Sequence, residues 1–257
     1  MSDLSIIQII LLSLIQALTE FLPISSSAHL LLPSKLLGWP DQGIVFDITV
    51  HFATLLAVLL YFKKDFIKIS FYKSKIFQML ILATLPLVIL VISVDDLGSY
   101  RWSLSTIAVS NIFFAILLLL SERFSAQTHE NSTMKYSHAL IIGIFQMFSV
   151  ISGASRSGTA ITGSLFLGYK REDAAKFSLL LAIPTILGAL IFSLVDYRIL
   201  KEDIDILTTF IGFLTTFIVS YLSISIFLKL VKAVGFLPFI IYRILLGILL
   251  LSLIHIS

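Results

Sequence analysis

Apolar runs of about 20 residues recur along this chain, and each is long enough to cross a bilayer as an α-helix. In lipid, only helices and closed barrels satisfy all of their backbone polar groups, and the chain lacks the ten-residue alternation typical of barrel strands. Charged residues make up 13% of the 257 residues, which is roughly half of the share found in soluble domains. The sequence therefore predicts an all-α, polytopic membrane helix bundle.

Two apolar stretches are interrupted, whereas six others are complete. We expect complete crossings near residues 44–62, 76–94, 104–120, 177–195, 206–228 and 237–254. The interrupted stretches are 4–37 and 138–168, and each contains a serine-rich patch. In the first, Pro23 is followed by three serines, and the run that ends at Leu37 is too short to span. We therefore expect each stretch to form a broken, re-entrant hairpin of half-helices that lines a cavity or is buried in protein.

The basic residues predict an orientation in the membrane, because cytoplasmic loops carry an excess of lysine and arginine. The segment 63–75 is rich in lysine and is assigned to the cytoplasm, and both termini then face outward. The predicted cytoplasmic set is Lys63, Lys64, Lys68, Lys73, Lys75, Arg123, Lys135, Lys170, Arg171, Lys176, Lys229 and Lys232, and the outer set is Lys35, Arg101, Arg198 and Lys201. The net charge of +3 is accounted for by this topology, and no binding of nucleic acid is expected.

An internal repeat relates the two interrupted stretches at an offset of 130 residues. It aligns Pro23 with Gly153 and Ser25 with Ser155. Three predicted crossings separate the copies, and because that number is odd, the second copy should enter from the opposite face. Inverted repeats with broken helices place a binding site at their interface. The predicted organisation is one integral membrane domain, 1–257, with repeat one at about 1–120 and repeat two at about 137–257.

Gln16 and Glu20 are four residues apart, so they share one face of the first half-helix. An ionisable residue inside an apolar segment is a candidate functional residue, because burying it unpaired costs several kcal/mol. The alternative is that Glu20 sits at a helix end and reaches water. Gln16 alone would equally suit a hydrogen bond between helices.

Ser25, Ser26 and Ser27 lie where a new half-helix begins. Hydroxyls and free N–H groups at a helix N-terminus form an anion site, whereas a simple cap needs only one serine. His29 follows within the first turn, and together with a nearby carboxylate this grouping resembles a nucleophile with its acid/base partner. A purely structural histidine is the alternative. The chain has no cysteine, which excludes a cysteine nucleophile and a thiolate metal site.

The second patch adds a cation. Arg156 is surrounded by the hydroxyls of Ser155, Ser157 and Thr159, a combination that suits phosphate oxygens. A structural ion pair between Arg156 and Glu20 is an alternative that does not exclude this function. The two patches together predict binding and hydrolysis of a phosphate ester at membrane depth, for which a lipid-borne phosphate is the natural substrate.

The segment Gln16–His29, QALTEFLPISSSAH, resembles the (E/Q)xxxE-FLPxSSxxH signature of the undecaprenyl-diphosphate phosphatases, also called bacitracin-resistance proteins. Ser152–Ala160 resembles their second signature, PGxSRSxxT, although Ser152 replaces the proline and Ala160 the threonine. The segments 51–62 and 167–177 are similar as well. The resemblance covers essentially the whole chain.

This resemblance implies hydrolysis of undecaprenyl diphosphate to undecaprenyl phosphate and inorganic phosphate, which recycles the lipid carrier of cell-wall synthesis and confers bacitracin resistance. It implies a location in the bacterial cytoplasmic (inner) membrane, with the active site open to the outer face. It also implies a divalent cation, Mg or Ca, with Glu20 as a ligand. The implied partners are the lipid substrate and the bilayer, and whether a homodimer forms is left open.

The resemblance also assigns residue roles. Glu20 matches the essential acidic residue, with Gln16 as its permitted partner, and Ser26 matches the proposed nucleophile. His29 matches the proposed acid/base, and Arg156 the phosphate-binding arginine. The residues expected to bind substrate are Gln16, Ser25, Ser27, Ser155, Ser157 and Thr159.

Three other classes of protein are alternatives to this interpretation. A transporter or flippase of polyprenyl phosphates is the leading alternative, because inverted repeats are typical of transporters. A phosphohistidine lipid phosphatase would need Lys/Arg-Pro, Ser-Gly-His and Arg-His-Asp motifs, which the sequence lacks. A membrane scaffold would leave Glu20 and Arg156 unexplained.

Overall fold

A computed structural model describes residues 4–66, 72–94, 102–194 and 205–256. The helices of eleven or more residues within these ranges are α1 (Ile6–Thr19), α2 (Ser26–Leu37), α3 (Gly43–Tyr61), α4 (Lys75–Ser93), α5 (Leu104–Phe124), α6 (Tyr136–Met147), α7 (Arg156–Phe166), α8 (Arg171–Leu194), α9 (Ile206–Val234) and α10 (Leu237–Ile256). A short helix, Lys63–Phe66, follows α3. The predicted topology markers Lys68, Arg101, Arg198 and Lys201 lie outside the described residues.

Six of these helices are long and apolar enough to cross a membrane, which confirms the predicted number of crossings. The spans are Gly43–Tyr61, Lys75–Ser93, Leu104–Phe124, Arg171–Ser193, Ile206–Val234 and Leu237–His255. Helices α5 and α9 continue beyond the predicted ends at residues 120 and 228. Their extra turns are more polar and carry Arg123 on α5 and Lys229 and Lys232 on α9, so they suit the headgroup region rather than the lipid interior.

The two interruptions occur where the sequence predicts them. α1 ends at Thr19, four residues before Pro23. If the helix continued, the N–H of residue 23 would donate to the carbonyl of Thr19, but proline has no N–H. α2 begins at Ser26, and in the second stretch α7 begins at Arg156. The residues just before these helices, Ser25 and Ser155, both have φ of 71°, a left-handed conformation that is uncommon outside glycine. The aligned serines therefore share a backbone conformation, while the inverted membrane orientation of the two copies stays a prediction.

Helices from one half of the chain pack against helices from the other half. α9 packs against α1 and α3, whereas α4 packs against α6 and α8. A Cβ atom at Gly143 on α6 would lie 2.5 Å from the carbonyl oxygen of Ala83 on α4. Only a glycine permits such contact between backbones, and small residues are the usual means of close helix packing in membranes. One buried apolar cluster consequently contains residues of both halves, from Phe21 to Ile240.

A second contact fixes the ends of several helices away from the serine patches. The carboxylate of Glu122, near the end of α5, accepts a hydrogen bond from the backbone N–H of Phe236 in the turn between α9 and α10. It also lies 2.6 Å from Nε of Arg171, the first residue of α8. Glu122 therefore links the end of α5 to the start of α8 and to the turn between α9 and α10.

Candidate active site

The carboxylate of Glu20 accepts hydrogen bonds from three side chains. Oε1 accepts from Nη2 of Arg156 at 2.9 Å, and Oε2 accepts from Oγ of Ser26 at 2.8 Å and from Nε2 of Gln16 at 2.9 Å. Glu20 directly follows α1, and its side chain is only 6% exposed. The alternative in which Glu20 reaches water is therefore wrong. Ion pairing and hydrogen bonding offset the cost of burying this charge.

Arg156 joins the two interrupted segments. Besides its bond to Glu20, its Nη1 donates to the backbone carbonyl of Ser178 on α8 at 3.1 Å. The guanidinium is thus held between the first half of the chain and α8, with its side chain 12% exposed. The structure shows the ion pair between Arg156 and Glu20, which the sequence analysis gave as an alternative. This pair brings the predicted acidic and cationic residues together.

The serines of the first patch have different partners. Ser26 alone contacts the carboxylate, whereas Ser25 Oγ accepts a hydrogen bond from the backbone N–H of Gly153 at 3.1 Å. Ser27 Oγ lies 3.2 Å from Ser25 Oγ and 3.4 Å from Ser152 Oγ. Ser152, where the family signature has proline, therefore adds a hydroxyl that links the second patch to the first.

In the second patch, the hydroxyls are largely used to hold the backbone. Ser155 Oγ caps α7 by accepting from the N–H of Gly158 at 3.1 Å, and it lies 3.1 Å from Ser157 Oγ. Ser157 Oγ donates to the carbonyl of Leu22 at 2.8 Å, which again joins the two segments. Thr159 Oγ1 donates to the carbonyl of Arg156 at 3.0 Å, so this buried hydroxyl is bonded within its own helix.

The two departures from the second signature have different surroundings. Ala160 is fully buried in the apolar cluster, where a threonine hydroxyl would need a hydrogen-bond partner. Ser152, the other departure, lies against α5, where its backbone carbonyl accepts a hydrogen bond from Ser110 Oγ at 2.6 Å. Gly153 has φ of 97°, and a Cβ atom there would lie 2.1 Å from Ser110 Oγ. Only glycine fits this position.

His29 is buried, and both of its ring nitrogens are engaged. Nδ1 lies 2.7 Å from the carbonyl oxygen of Ser25, and Nε2 lies 2.6 Å from the hydroxyl of Tyr242 on α10. The two rings are stacked, with their centroids 5.6 Å apart. His29 therefore supports the turn that carries Ser26, and the polar group in contact with the Ser26 hydroxyl is Glu20.

Three residues beside this site were missed by the sequence analysis. Nε2 of His51 on α3 lies 3.8 Å from Oε2 of Glu20, and its Nδ1 lies 2.7 Å from the carbonyl oxygen of Asp47. The others are Tyr242 and the buried Arg243 on α10. His51 and Arg243 could have been found by the rule that singled out Glu20, since each is an ionisable residue within an apolar segment. Tyr242 gives no such signal.

The donor atoms around Glu20 fit a hard divalent cation in part. Carboxylate, amide and hydroxyl oxygens are the ligands that Mg²⁺ and Ca²⁺ prefer, and Glu20, Gln16 and Ser26 supply these three types. Oε1 of Gln16 is buried and has no hydrogen-bond partner within the described ranges. The part of the chain that the structure describes holds no group of three or more His, Cys, Asp or Glu side chains placed to bind a metal ion. The protein would therefore supply only part of a coordination shell.

The chain is similar to proteins of one known family. The family model described as "Bacitracin resistance protein BacA" matches residues 9–249. The undecaprenyl-diphosphatase of Alcanivorax borkumensis is 41% identical over 257 residues, which cover 95% of this chain and 97% of the relative. Undecaprenyl-diphosphatase 1 of Pseudoalteromonas translucida is 42% identical, with 95% and 97% covered. The undecaprenyl-diphosphatase of Teredinibacter turnerae is 40% identical, with 96% and 98% covered.

The family model matches most of the chain, and relatives of about 41% identity cover 95% of it. The chain belongs to the bacitracin resistance protein BacA family.

Proposed function

We propose that this chain is an enzyme that hydrolyses undecaprenyl diphosphate to undecaprenyl phosphate and inorganic phosphate. The observation that carries the proposal is the hydrogen bond from Ser26 to a buried carboxylate that also holds Arg156. It joins a nucleophile, a base and a phosphate-binding cation in one contact network. The names of the three relatives supply the substrate.

The reaction begins with the Ser26 hydroxyl. Its proton passes to Oε2 of Glu20, which already accepts its hydrogen bond, as Oγ attacks the terminal phosphorus. The bond between that phosphorus and the bridging oxygen breaks, and undecaprenyl phosphate leaves with the bonding electron pair. Water then attacks the phosphoserine, which releases inorganic phosphate and regenerates the hydroxyl. Glu20 gives back its proton in this second half, so protons and charges balance.

Arg156 stabilises the charge that the terminal phosphate carries during transfer. Its Nη2 donates to Glu20, and the planar guanidinium can bind phosphate oxygens in the same way. Phosphoryl transfer depends mainly on positioning and charge stabilisation, to which an arginine can contribute about 10³-fold or more. His29 would act as the acid/base only after giving up a bond to Ser25 or Tyr242, and we therefore assign the base to Glu20.

We further propose a divalent cation, Mg or Ca, which Glu20 and Gln16 would hold. Mg²⁺ is commonly bound in this way, through one or two carboxylates and the phosphates of the substrate. When bound, the cation would neutralise charge on the transferred phosphate. We also propose that the protein lies in the bacterial inner membrane with this site open to the outer face.

The proposal is tested by phosphate release from undecaprenyl diphosphate by the purified protein. Arg156→Ala should lower the rate by about 10³-fold, because it removes the phosphate-binding cation. Ser26→Ala should abolish release, because it removes the nucleophile. Ser252→Ala, which changes an exposed serine bonded within α10, is the matched control and should keep the wild-type rate. A chelator should stop release, and added Mg²⁺ or Ca²⁺ should restore it.

Two results would contradict the proposal. Binding of the lipid by the wild type without release of phosphate would favour a flippase. Release that persists in a chelator would remove the cation from the scheme while leaving the serine mechanism in place.

A further inference from the structure

Arg243 lies on α10, and its side chain is fully buried at 0% exposure. No described carboxylate forms an ion pair with it. A charged group buried without compensation is costly both in proteins and in membranes. A guanidinium in this position must therefore be stabilised by other groups.

Three backbone carbonyls serve as those groups, and they come from both interrupted segments. Nη1 donates to the carbonyl of Pro23 at 3.2 Å, and Nη2 donates to the carbonyls of Gly153 at 2.6 Å and Ala154 at 3.0 Å. Pro23 lies two residues before Ser25, and Ala154 lies directly before Ser155. One planar side chain thus ties both strained serine turns to α10.

The first turn of α7 packs directly onto this guanidinium. A Cβ atom at Gly158 would lie 3.0 Å from Nη1 of Arg243, so a side chain there would displace the arginine. Gly158 is also the residue whose N–H is bonded by the capping Ser155. The first turn of α7, which carries Arg156, therefore packs against Arg243 and is also capped by Ser155.

We infer that Arg243 is a positioning residue, which fixes the Ser26 turn and the Arg156 turn at the separation that phosphate transfer requires. The inference rests on the proposed function. Carbonyl oxygens carry partial negative charge and would repel a phosphate, and Arg243 binds three of them. With Arg156, it also gives these segments two guanidiniums against the one carboxylate of Glu20, a balance that favours an anionic headgroup.

Kinetics of matched variants test this role. In Arg243→Met, kcat per folded protein should fall by about 10²-fold, which is the size of effect that a displacement of about 1 Å can have. KM should change much less, because the groups that bind phosphate remain. Arg243→Lys keeps the charge but loses the fork that reaches several carbonyls, so it should recover only part of the loss.

Arg171→Met is the control, because it removes an ion pair at a different set of helix ends, with Glu122. It should lower thermal stability and leave kcat per folded protein close to wild type. A loss of kcat in Arg171→Met equal to that in Arg243→Met would reduce Arg243 to a stabilising residue and overturn the inference. The inference would also be overturned if Arg243→Lys and Arg243→Met both kept the wild-type kcat. If Arg243→Met does not fold, the kcat of Arg243→Lys alone tests the inference.

A spectroscopic measurement separates this inference from the proposed function. The chain has no native cysteine, so nitroxide labels at Leu37→Cys and Phe166→Cys would report only on the distal ends of α2 and α7, where both residues are exposed. The distance between labels should be narrow in wild type and in Arg171→Met, and broad in Arg243→Met. A narrow distance in Arg243→Met refutes the positioning role of Arg243 even if activity falls. If wild type releases no phosphate, the proposed function fails and these distances still decide the role of Arg243.

Discussion

Glu20 is shared by a cation, a hydroxyl and an amide, and this sharing sets what a single substitution can change. Oε1 holds Arg156, while Oε2 holds Ser26 and Gln16. Replacing the carboxylate by an amide of the same shape would keep the volume but remove the negative charge and one acceptor oxygen. The substitution therefore separates charge from packing at this position.

We expect Glu20→Gln to lower phosphate release by about 10²- to 10⁴-fold, the range for loss of a general base. Arg156 also loses its counter-charge in this variant. The measurement is the rate of release from undecaprenyl diphosphate at a fixed concentration of cation, corrected for folded protein.

Glu130→Gln is the matched control for this change. The Glu130 carboxylate is also paired, and its hydrogen bond with Lys170 holds the pKa of Glu130 below its ordinary value. It is exposed, however, and its partner Lys170 lies outside the serine patches. Its variant should release phosphate at the wild-type rate. Equal losses in both variants would indicate a general effect of charge and not a role for Glu20.

The residues of the site were predictable from the sequence to the extent that they carry a charge or sit in a motif. Glu20 and Arg156 were found because ionisable side chains are rare in apolar segments. The bond between His29 and Tyr242 joins positions 213 residues apart, and no local pattern indicates it. For the same reason, the sequence could not show that Glu20, and not His29, contacts Ser26.

At the scale of the helix, Ser155 combines two properties that normally occur apart. It is the N-cap of α7, with its hydroxyl bonded to Gly158, and it has φ of 71°. A non-glycine residue in this left-handed region costs about 1 kcal/mol. Ser5 caps α1 through Gln8 with an ordinary φ of −70°, so the two caps differ mainly in backbone strain.

We expect Ser155→Ala to be clearly less stable than Ser155→Gly, because alanine loses the cap and keeps the strain. Loss of a serine cap costs about 1 kcal/mol when alanine replaces it and only a few tenths when glycine does. The alanine-to-glycine difference at 155 should therefore exceed that at Ser5 by about 1 kcal/mol. The midpoints of thermal unfolding of the four variants give the comparison, and equal differences at both positions would show that Ser155 is unstrained.

The interruptions of the helices were predictable because Pro23 and the serine clusters break an apolar run at two related places. The ends of the helices were less predictable from the sequence, because α5 and α9 each continue beyond the predicted end. Their polar residues were assigned to loops, since the sequence alone does not reveal that Glu122 is buried against Arg171 and Phe236. Pairing of helices between the two halves was also invisible, because it depends on contacts distant in sequence.

At the scale of the whole molecule, the positions of lysine and arginine predict one orientation in the membrane. Counting crossings from the lysine-rich segment 63–75 places residue 40 outside and residue 132 in the cytoplasm. Both Pro40 and Ser132 are exposed, and the chain has no cysteine of its own. A membrane-impermeant maleimide applied to intact cells should therefore label Pro40→Cys, and should label Ser132→Cys only after permeabilisation. The opposite pattern would reverse the topology and move the proposed opening of the site to the cytoplasm.

The exchange of helices between halves has a consequence for biosynthesis. The ribosome delivers α1 and α3 to the bilayer long before it completes α9, the helix that covers them. Arg156 is also still untranslated when Glu20 arrives, and an unpaired carboxylate in lipid would cost several kcal/mol. The first interrupted segment should therefore stay near the water interface during synthesis, and should reach its final depth in the membrane only after the second segment has been made.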